Sequence, residues 1–282
     1  MQLSLPTSEV YIPDGKAPEE ALARTTHLGI CAHQDDLEIL AYPGILECFG
    51  KPGHWFTGVC VTNGSGSPRT GHYANYTDEQ MMEIRRLEQK KAAFVGDYSA
   101  MVFLDYASSG VKDPENRQII EDIKAVFSTC RPKVVYTHNL ADKHDTHIGV
   151  VLRTIAALRE LDADDLPEKV YGLEVWRDLD WMLDADKVVF DVAARENLAA
   201  ALLGVFDSQI SGGKRYDLAT MGRRRAHATY SASHGTDEST GVVFGMDLTP
   251  LVLDPEADIK AFVNAYIQRL ASDVAARIEK FL

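Results

Sequence analysis

The chain has 282 residues, 45% hydrophobic and 25% charged, a composition that supports a packed core and excludes a disordered chain. Its 42 acidic against 29 basic residues give a formal charge of −13. Such a surface repels phosphate backbones and anionic lipid headgroups, which argues against nucleic acid and membrane partners. No apolar run approaches the ~20 residues of a membrane span. The opening MQLSLPTSEVYIPDGKAPEE lacks the basic region and apolar core of a secretory signal, so a cytoplasmic location is expected. Cys31, Cys48, Cys60 and Cys130 are scattered, mostly in apolar runs, and form no CxxC pair. Buried reduced thiols are expected, not a thiolate metal site.

In chain order, residues 1–24 are polar and turn-rich and read as a surface arm. Short apolar runs at 26–31, 55–61, 101–104 and 133–137 read as strands. Helical patterns near 36–48, 78–95, 115–129 and 147–161 alternate with them. The second helix opens on a capping-box pattern, Thr77 with Gln80, and Gly96 stands where a C′ residue is expected. Residues 170–176, 187–192 and 240–245 are further strand candidates, and 194–207, 216–231 and 259–281 further helices. The alternation predicts one α/β domain over residues 1–282, a mostly parallel, Rossmann-like sheet flanked by helices, with C-terminal elaborations. Residues 165–250 are expected to form that elaboration, as a lid or an oligomer contact. A homo-oligomer is compatible with this reading.

Two clusters carry chemistry, and both follow predicted strands, where open parallel sheets gather ligands. The first is Ala32-His33-Gln34-Asp35-Asp36-Leu37-Glu38. His33 and Asp36 can grip one divalent ion from the loop entering the next helix, which leaves Asp35 to take a proton. Acidic residues in a first helical turn also satisfy the helix dipole, so this motif alone leaves both readings open. The second runs from Tyr136-Thr137-His138-Asn139 to Asp142-Lys143-His144-Asp145-Thr146-His147. His144 and His147, three residues apart, can face one cavity, although solvated loop histidines give the same pattern. Nitrogen and carboxylate donors without thiolates suit a catalytic Zn²⁺ with an open position, with another divalent ion as the alternative.

These residues resemble the PIG-L/LmbE-like zinc-dependent deacetylases. The stretch His33 to Glu38 is similar to that family's AHPDDxE motif, and His144-Asp145-Thr146-His147 to its HPDH segment. Arg85-Arg86-Leu87-Glu88 resembles its R-x-x-E helix, Val61-Thr62-Asn63-Gly64 its T-x-G segment, and Phe206–Ile210 its serine–glutamine segment. The resemblance covers residues from about 26 to 234. Gln34 replaces the usual proline, and Asp145 and Thr146 stand for proline and aspartate. The resemblance implies that His33, Asp36 and His147 hold the zinc. It also implies that Asp35 is the general base and His144 the general acid or oxyanion partner, with Arg85 contacting substrate. The implied reaction is removal of an acetyl or short acyl group from an N-acetylated amino sugar, glycoside or similar small molecule.

Other residues have two readings. Glu88 is expected to orient Arg85 by an ion pair. Asn63 and the Gly-Ser loop behind it can approach substrate, but there is no P-loop lysine for a nucleotide. His138 is either pocket or structure, and Asp142 can buttress a histidine. Arg223-Arg224-Arg225 reads as a solvated helix face or an intersubunit contact. His234 is a pocket candidate, and Trp176 and Trp181 can stack on a sugar or pack in the core. Two rival functions remain: a metal-dependent hydratase of a small unsaturated acid, and a metal-free binding protein.

Overall fold

The computed structural model describes residues 1–282. The first half runs β1 (Glu9–Tyr11), α1 (Pro18–Ala23), β2 (His27–Cys31), α2 (Asp36–Leu40), α3 (Tyr42–Cys48), β3 (Phe56–Thr62), α4 (Asp78–Val95), β4 (Ala100–Tyr106), α5 (Ser108–Lys112), α6 (Gln118–Cys130), β5 (Val134–His138) and α7 (Asp145–Arg159). The second half adds β6 (Lys169–Leu173), β7 (Val188–Asp191), α8 (Glu196–Gly204), α9 (Asp207–Ile210), α10 (Tyr216–Tyr230), β8 (Val242–Asp247), α11 (Thr249–Leu253) and α12 (Ile259–Glu279). No helix is long and apolar enough to cross a membrane.

All eight strands join one sheet in the order β1-β4-β3-β2-β5-β6-β8-β7. The five central strands, β4 to β6 in that order, are parallel. β1 at one edge and β8 and β7 at the other run antiparallel to their neighbours. Successive side chains of a strand point to opposite faces, and two separate cores follow. Leu28, Ile30, Val59, Val61, Val102 and Val135 pack on one face, beneath α6 and α7. Cys31, Phe56, Cys60, Met101 and Tyr136 pack on the other, beneath α2, α3 and α8. All four cysteines are buried and unbonded. The parallel strand order reverses between β2 and β5, which opens a crevice at their carboxyl ends.

Three sequence expectations need correction. Residues 1–24 are not merely an arm, because Glu9–Tyr11 pairs with Met101–Phe103 and closes the edge of the sheet. Residues 165–250 are more than an elaboration on a finished sheet: the strands expected there form β6, β7 and β8 of that sheet. The helix expected over 36–48 is two helices, broken at Ala41. Pro43 explains the break, since it has no N–H for the carbonyl of Ile39 and its ring crowds that position. The missing donor comes from far along the chain. Arg224 of α10 is buried against Tyr42, and its Nη2 donates to the carbonyls of Glu38 at 2.9 Å and Ile39 at 3.2 Å. The expected solvated or intersubunit Arg224 is therefore an internal brace. Its neighbours also have partners, Arg223 on the Val175 carbonyl and Arg225 on Glu196.

Helix α4 starts as expected, with the reciprocal Thr77–Gln80 capping box. At its end Gly96 keeps a negative φ, and Asp97 takes the left-handed conformation at φ 55°. The buried face of α4 includes Arg85, Glu88 and Gln89, a polar stripe in an otherwise apolar interface. That stripe points toward the crevice.

Candidate active site

His33, Asp35 and Asp36 leave the carboxyl end of β2, and His144 and His147 open α7 just after β5. These are the two strands that flank the reversal, so two stretches more than 100 residues apart meet at one place. His33 Nδ1 lies 3.2 Å from Asp36 Oδ2 and 3.2 Å from His147 Nε2, and His147 Nε2 lies 3.3 Å from Asp36 Oδ2. Four ligands at about 2.0 Å around a tetrahedral ion are separated by roughly 3.3 Å, so this triangle matches three corners of a zinc site. The donor set, two imidazoles and one carboxylate, suits a catalytic rather than a structural zinc.

Two wider groupings could also hold an ion: His33, His144 and His147, and Asp36, His138 and His147, each with donor atoms within 4.8 Å of one another. His138 is less suited than its position suggests. Its Nε2 already accepts the Ala32 N–H at 2.9 Å, and its ring stacks on His147 with centroids 3.9 Å apart. His138 thus ties β5 to the loop that carries His33. Asp142 stands behind His147, with Oδ2 3.5 Å from Nδ1. It also accepts the backbone N–H groups of His144 and Trp176, which anchors the loop on both sides.

The charges follow from these contacts. Burial works to raise the Asp36 carboxyl, but His147 and the bonds from His147 and His33 outweigh it and hold Asp36 well below the carboxylate range. Burial works to lower His147, yet Asp36 and Asp142 raise it to about 9 in the absence of an ion. His144 goes the other way, lowered by burial and by the neighbouring His147 and His33 to about 4. It is therefore neutral near pH 7, not cationic. Its Nδ1 accepts the Thr146 N–H at 3.3 Å, which puts its proton on Nε2.

Asp35 sits beside the triangle with φ 91°, a conformation that disfavours any side chain. The surroundings impose it. Gln89 Oε1 accepts the Asp35 N–H at 3.1 Å, while Gln89 Nε2 donates at 2.8 Å to the buried Glu38, which Tyr98 also holds. Asp35 Oδ1 lies 3.6 Å from Arg85 Nη2, and its Oδ2 has no partner. Burial raises this carboxyl well above its usual range, against the pull of Arg85. A carboxyl with a raised pKa and a free oxygen suits proton transfer.

Arg85 is buried, with Nη1 unpartnered, and it lines the cavity. It is held by Gln34: Arg85 Nη2 donates to the Gln34 carbonyl, and Nε meets Gln34 Oε1 at 3.4 Å. Gln34 Nε2 in turn bonds the Thr62 carbonyl at 3.0 Å. The glutamine in place of proline thus bridges loop, strand and arginine. Gly64 has φ 78° and lies against this pair, where a Cβ would come 2.5 Å from Gln34 Oε1. Glu88 does not pair with Arg85 as expected. It accepts the N–H and the Oγ–H of Ser208 at 2.7 and 2.6 Å, fastening α9 to α4.

The cavity of about 350 Å³ above these groups is lined by His33, Asp35, Asp36, Arg85, His144, Thr146, Trp176, Gln209, Lys214 and Tyr216, among others. Gly64, Gly66, Ser67 and Pro68 reach it, but Asn63 does not. Asn63 Oδ1 accepts the Ser65 N–H at 3.1 Å, so it shapes the loop rather than facing the cavity. His234 is exposed and does not line the cavity, and Trp181 packs against the core. Sequence reasoning missed Gln89, Lys112, Lys214 and Tyr216. Gln89 had a signal, one helical turn after Arg85 on the same face. The others arrive by tertiary packing alone.

Residues 28–158 match the family model described as PIG-L, GlcNAc-PI de-N-acetylase. Over those residues the chain is similar to that family. No curated protein matches it. Among solved structures, the 4-carboxy-2-hydroxymuconate hydratase of Pseudomonas putida shares the fold at a TM-score of 0.58 and 18% identity, covering 79% of this chain and 95% of that one. A conserved protein from Thermus thermophilus aligns at 0.59 and 18%, over 82% and 98%. The N,N′-diacetylchitobiose deacetylase of Pyrococcus horikoshii aligns at 0.56 and 16%, over 79% and 84%. At these identities the structures establish the fold. The PIG-L match spans every element that carries the triangle and Asp35, while Trp176, Gln209, Lys214 and Tyr216 lie beyond it.

Proposed function

We propose that this protein belongs to the PIG-L family and is a zinc-dependent N-deacetylase of an N-acetylated amino sugar, glycoside or similar small molecule. The observation that carries the reading is the triangle of His33 Nδ1, Asp36 Oδ2 and His147 Nε2, with edges of 3.2 to 3.3 Å, beside the unpartnered Asp35 Oδ2. A divalent ion bound there supplies Lewis acidity, polarising the acyl carbonyl and lowering the pKa of a water from 15.7 toward about 7.

The side chains do the rest. Asp35 Oδ2 takes a proton from the attacking water as the oxygen–carbon bond forms. It returns that proton to the nitrogen as the carbon–nitrogen bond breaks, releasing acetate and a free amine. His144, neutral with its proton on Nε2, donates to the carbonyl oxygen as negative charge develops there. This favours the oxyanion role over the general-acid role. Arg85 Nη1 is free to orient the substrate, and Trp176 and Tyr216 offer an aromatic wall for a sugar face. The strand reversal beside the site supports the Rossmann-like description.

The test is acetate release from N-acetylglucosamine derivatives by protein whose metal content is measured by elemental analysis. About one zinc per chain and release of acetate are expected. In Asp35→Asn the zinc stays while turnover falls at least ~100-fold. Zinc-loaded protein that releases no acetate overturns the reading. Turnover of an unsaturated dicarboxylate instead would favour a hydratase on the same site, the activity named for the Pseudomonas putida protein.

A further inference from the structure

The cavity has a charge opposite to that of the molecule. The chain carries −13 overall, and seven of its thirteen lysines are engaged: Lys16, Lys51, Lys90, Lys124, Lys133, Lys169 and Lys187 each reach a carboxylate within 4.0 Å. Lys112 and Lys214 line the cavity, are exposed, and reach none. The only carboxylates on the lining, Asp35 and Asp36, are buried, Asp36 among histidines and Asp35 beside Arg85.

One wall of the cavity explains how such charges are held without being neutralised. Lys214 Nζ lies 5.0 Å from the centroid of the Trp176 ring, and Lys143 Nζ lies 6.0 Å from it. An indole face attracts an ammonium group but takes none of its hydrogen-bond donors. Trp176 is itself fixed, through its backbone N–H on Asp142 Oδ2 at 3.1 Å and its edge-on contact with Tyr216. Two lysines therefore converge on one anchored aromatic ring beside His144, and a third, Lys112, approaches from α5. In a strongly acidic protein, two unpaired ammonium groups on one cavity, with a third beside the indole that forms its wall, mark a place for an anion.

We propose that the substrate bears an anionic substituent, a carboxylate or a phosphate, bound at the cavity mouth by Lys214 and Lys112, with Lys143 adding to the field. The position assigned to the acyl group rests on the deacetylase reading above, but the anion subsite stands on the lysines alone. It makes Lys112 and Lys214 specificity-determining residues for a charged amino sugar over a neutral one.

Two measurements test this. In the first, calorimetric titration of the zinc-loaded protein compares glucosamine with glucosamine 6-phosphate and with muramic acid. At least one anionic ligand is expected to bind ~10-fold tighter than the neutral one, with an advantage that shrinks from 50 to 500 mM salt. In K112A/K214A that ratio collapses toward 1, and in K112R/K214R, which keeps the charge, it survives. The second measures acetate release from the corresponding N-acetyl compounds. Equal or weaker binding of both anions, or a ratio untouched by K112A/K214A, overturns the proposal. Acetate release with no preference for the charged compounds overturns it too, while sparing the deacetylase reading. Lysine-dependent anion binding with no acetate from any compound does the reverse.

Discussion

Two buried histidine–carboxylate clusters occur in this molecule, and only one looks like a place for chemistry. Just after β6, Glu174 accepts the Leu179 N–H at 2.6 Å, the His227 Nε2–H at 2.9 Å and the Phe244 N–H at 3.1 Å, and the His227 ring stacks on Phe244. Both oxygens are occupied, and the cluster welds α10 to β6 and β8. At the ends of β2 and β5, Asp36 Oδ2, His33 Nδ1 and His147 Nε2 lie 3.2 to 3.3 Å from one another. Asp35 Oδ2 beside them has no partner at all. Burial and pairing are common to both clusters. What separates them is that protein donors occupy both Glu174 oxygens, whereas the second cluster sets three ligand-type atoms within 3.3 Å of one another beside a buried carboxylate oxygen that has no partner.

That contrast can be broken by experiment. The largest effect is expected for His147→Ala, which should lose bound zinc and more than ~100-fold in turnover, read by elemental analysis and acetate release. Glu174→Ala should do the opposite. Leaving His227 and two backbone N–H groups unpaired is expected to lower stability by about 3–5 kcal/mol in urea unfolding, with zinc content unchanged. A stable Glu174→Ala protein that loses its zinc would erase the distinction between the clusters. Asp142→Asn is expected to weaken zinc binding roughly 10- to 100-fold by chelator competition, because it removes the charge behind His147.

The smallest effect concerns pH. Burial works to raise Asp142, but His147 outweighs it and holds the carboxyl at about 2, below its ordinary 3.8. A depressed carboxyl contributes stability that is present above its unfolded value and lost as pH falls through the folded one. Chelated wild-type protein should therefore lose on the order of 1 kcal/mol from this group between pH 5 and 3, and Asp142→Asn should lose correspondingly less. Identical acid profiles for the two proteins would remove Asp142 from the metal side of the contrast.

Much of the candidate site was legible before folding was considered. His33, Asp35, Asp36, His144 and His147 are contiguous in two short motifs, and each motif follows a strand whose pattern is plain. The braces were not. Gln34 reads only as a missing proline, yet it links Arg85 to Thr62. Arg224 reads as one of three surface arginines, yet it replaces the hydrogen bond that Pro43 cannot make. Glu88 is one helical turn from Arg85 but takes a partner 120 residues away. Spacing rules describe neighbours along a helix face, and these contacts run between elements.

The local order of residues thus determined the strands, the helices with their caps, and the composition of each ligand-bearing loop, because those depend on periodicity and on residues a few positions apart. Tertiary structure decided which strands lie side by side, and with that whether two loops more than a hundred residues apart would share one cation. It also decided the charge at the cavity mouth. Lysines scattered through an acidic chain come together only when packing brings α5 and the 214 loop to one cavity and the 143 loop to its Trp176 wall.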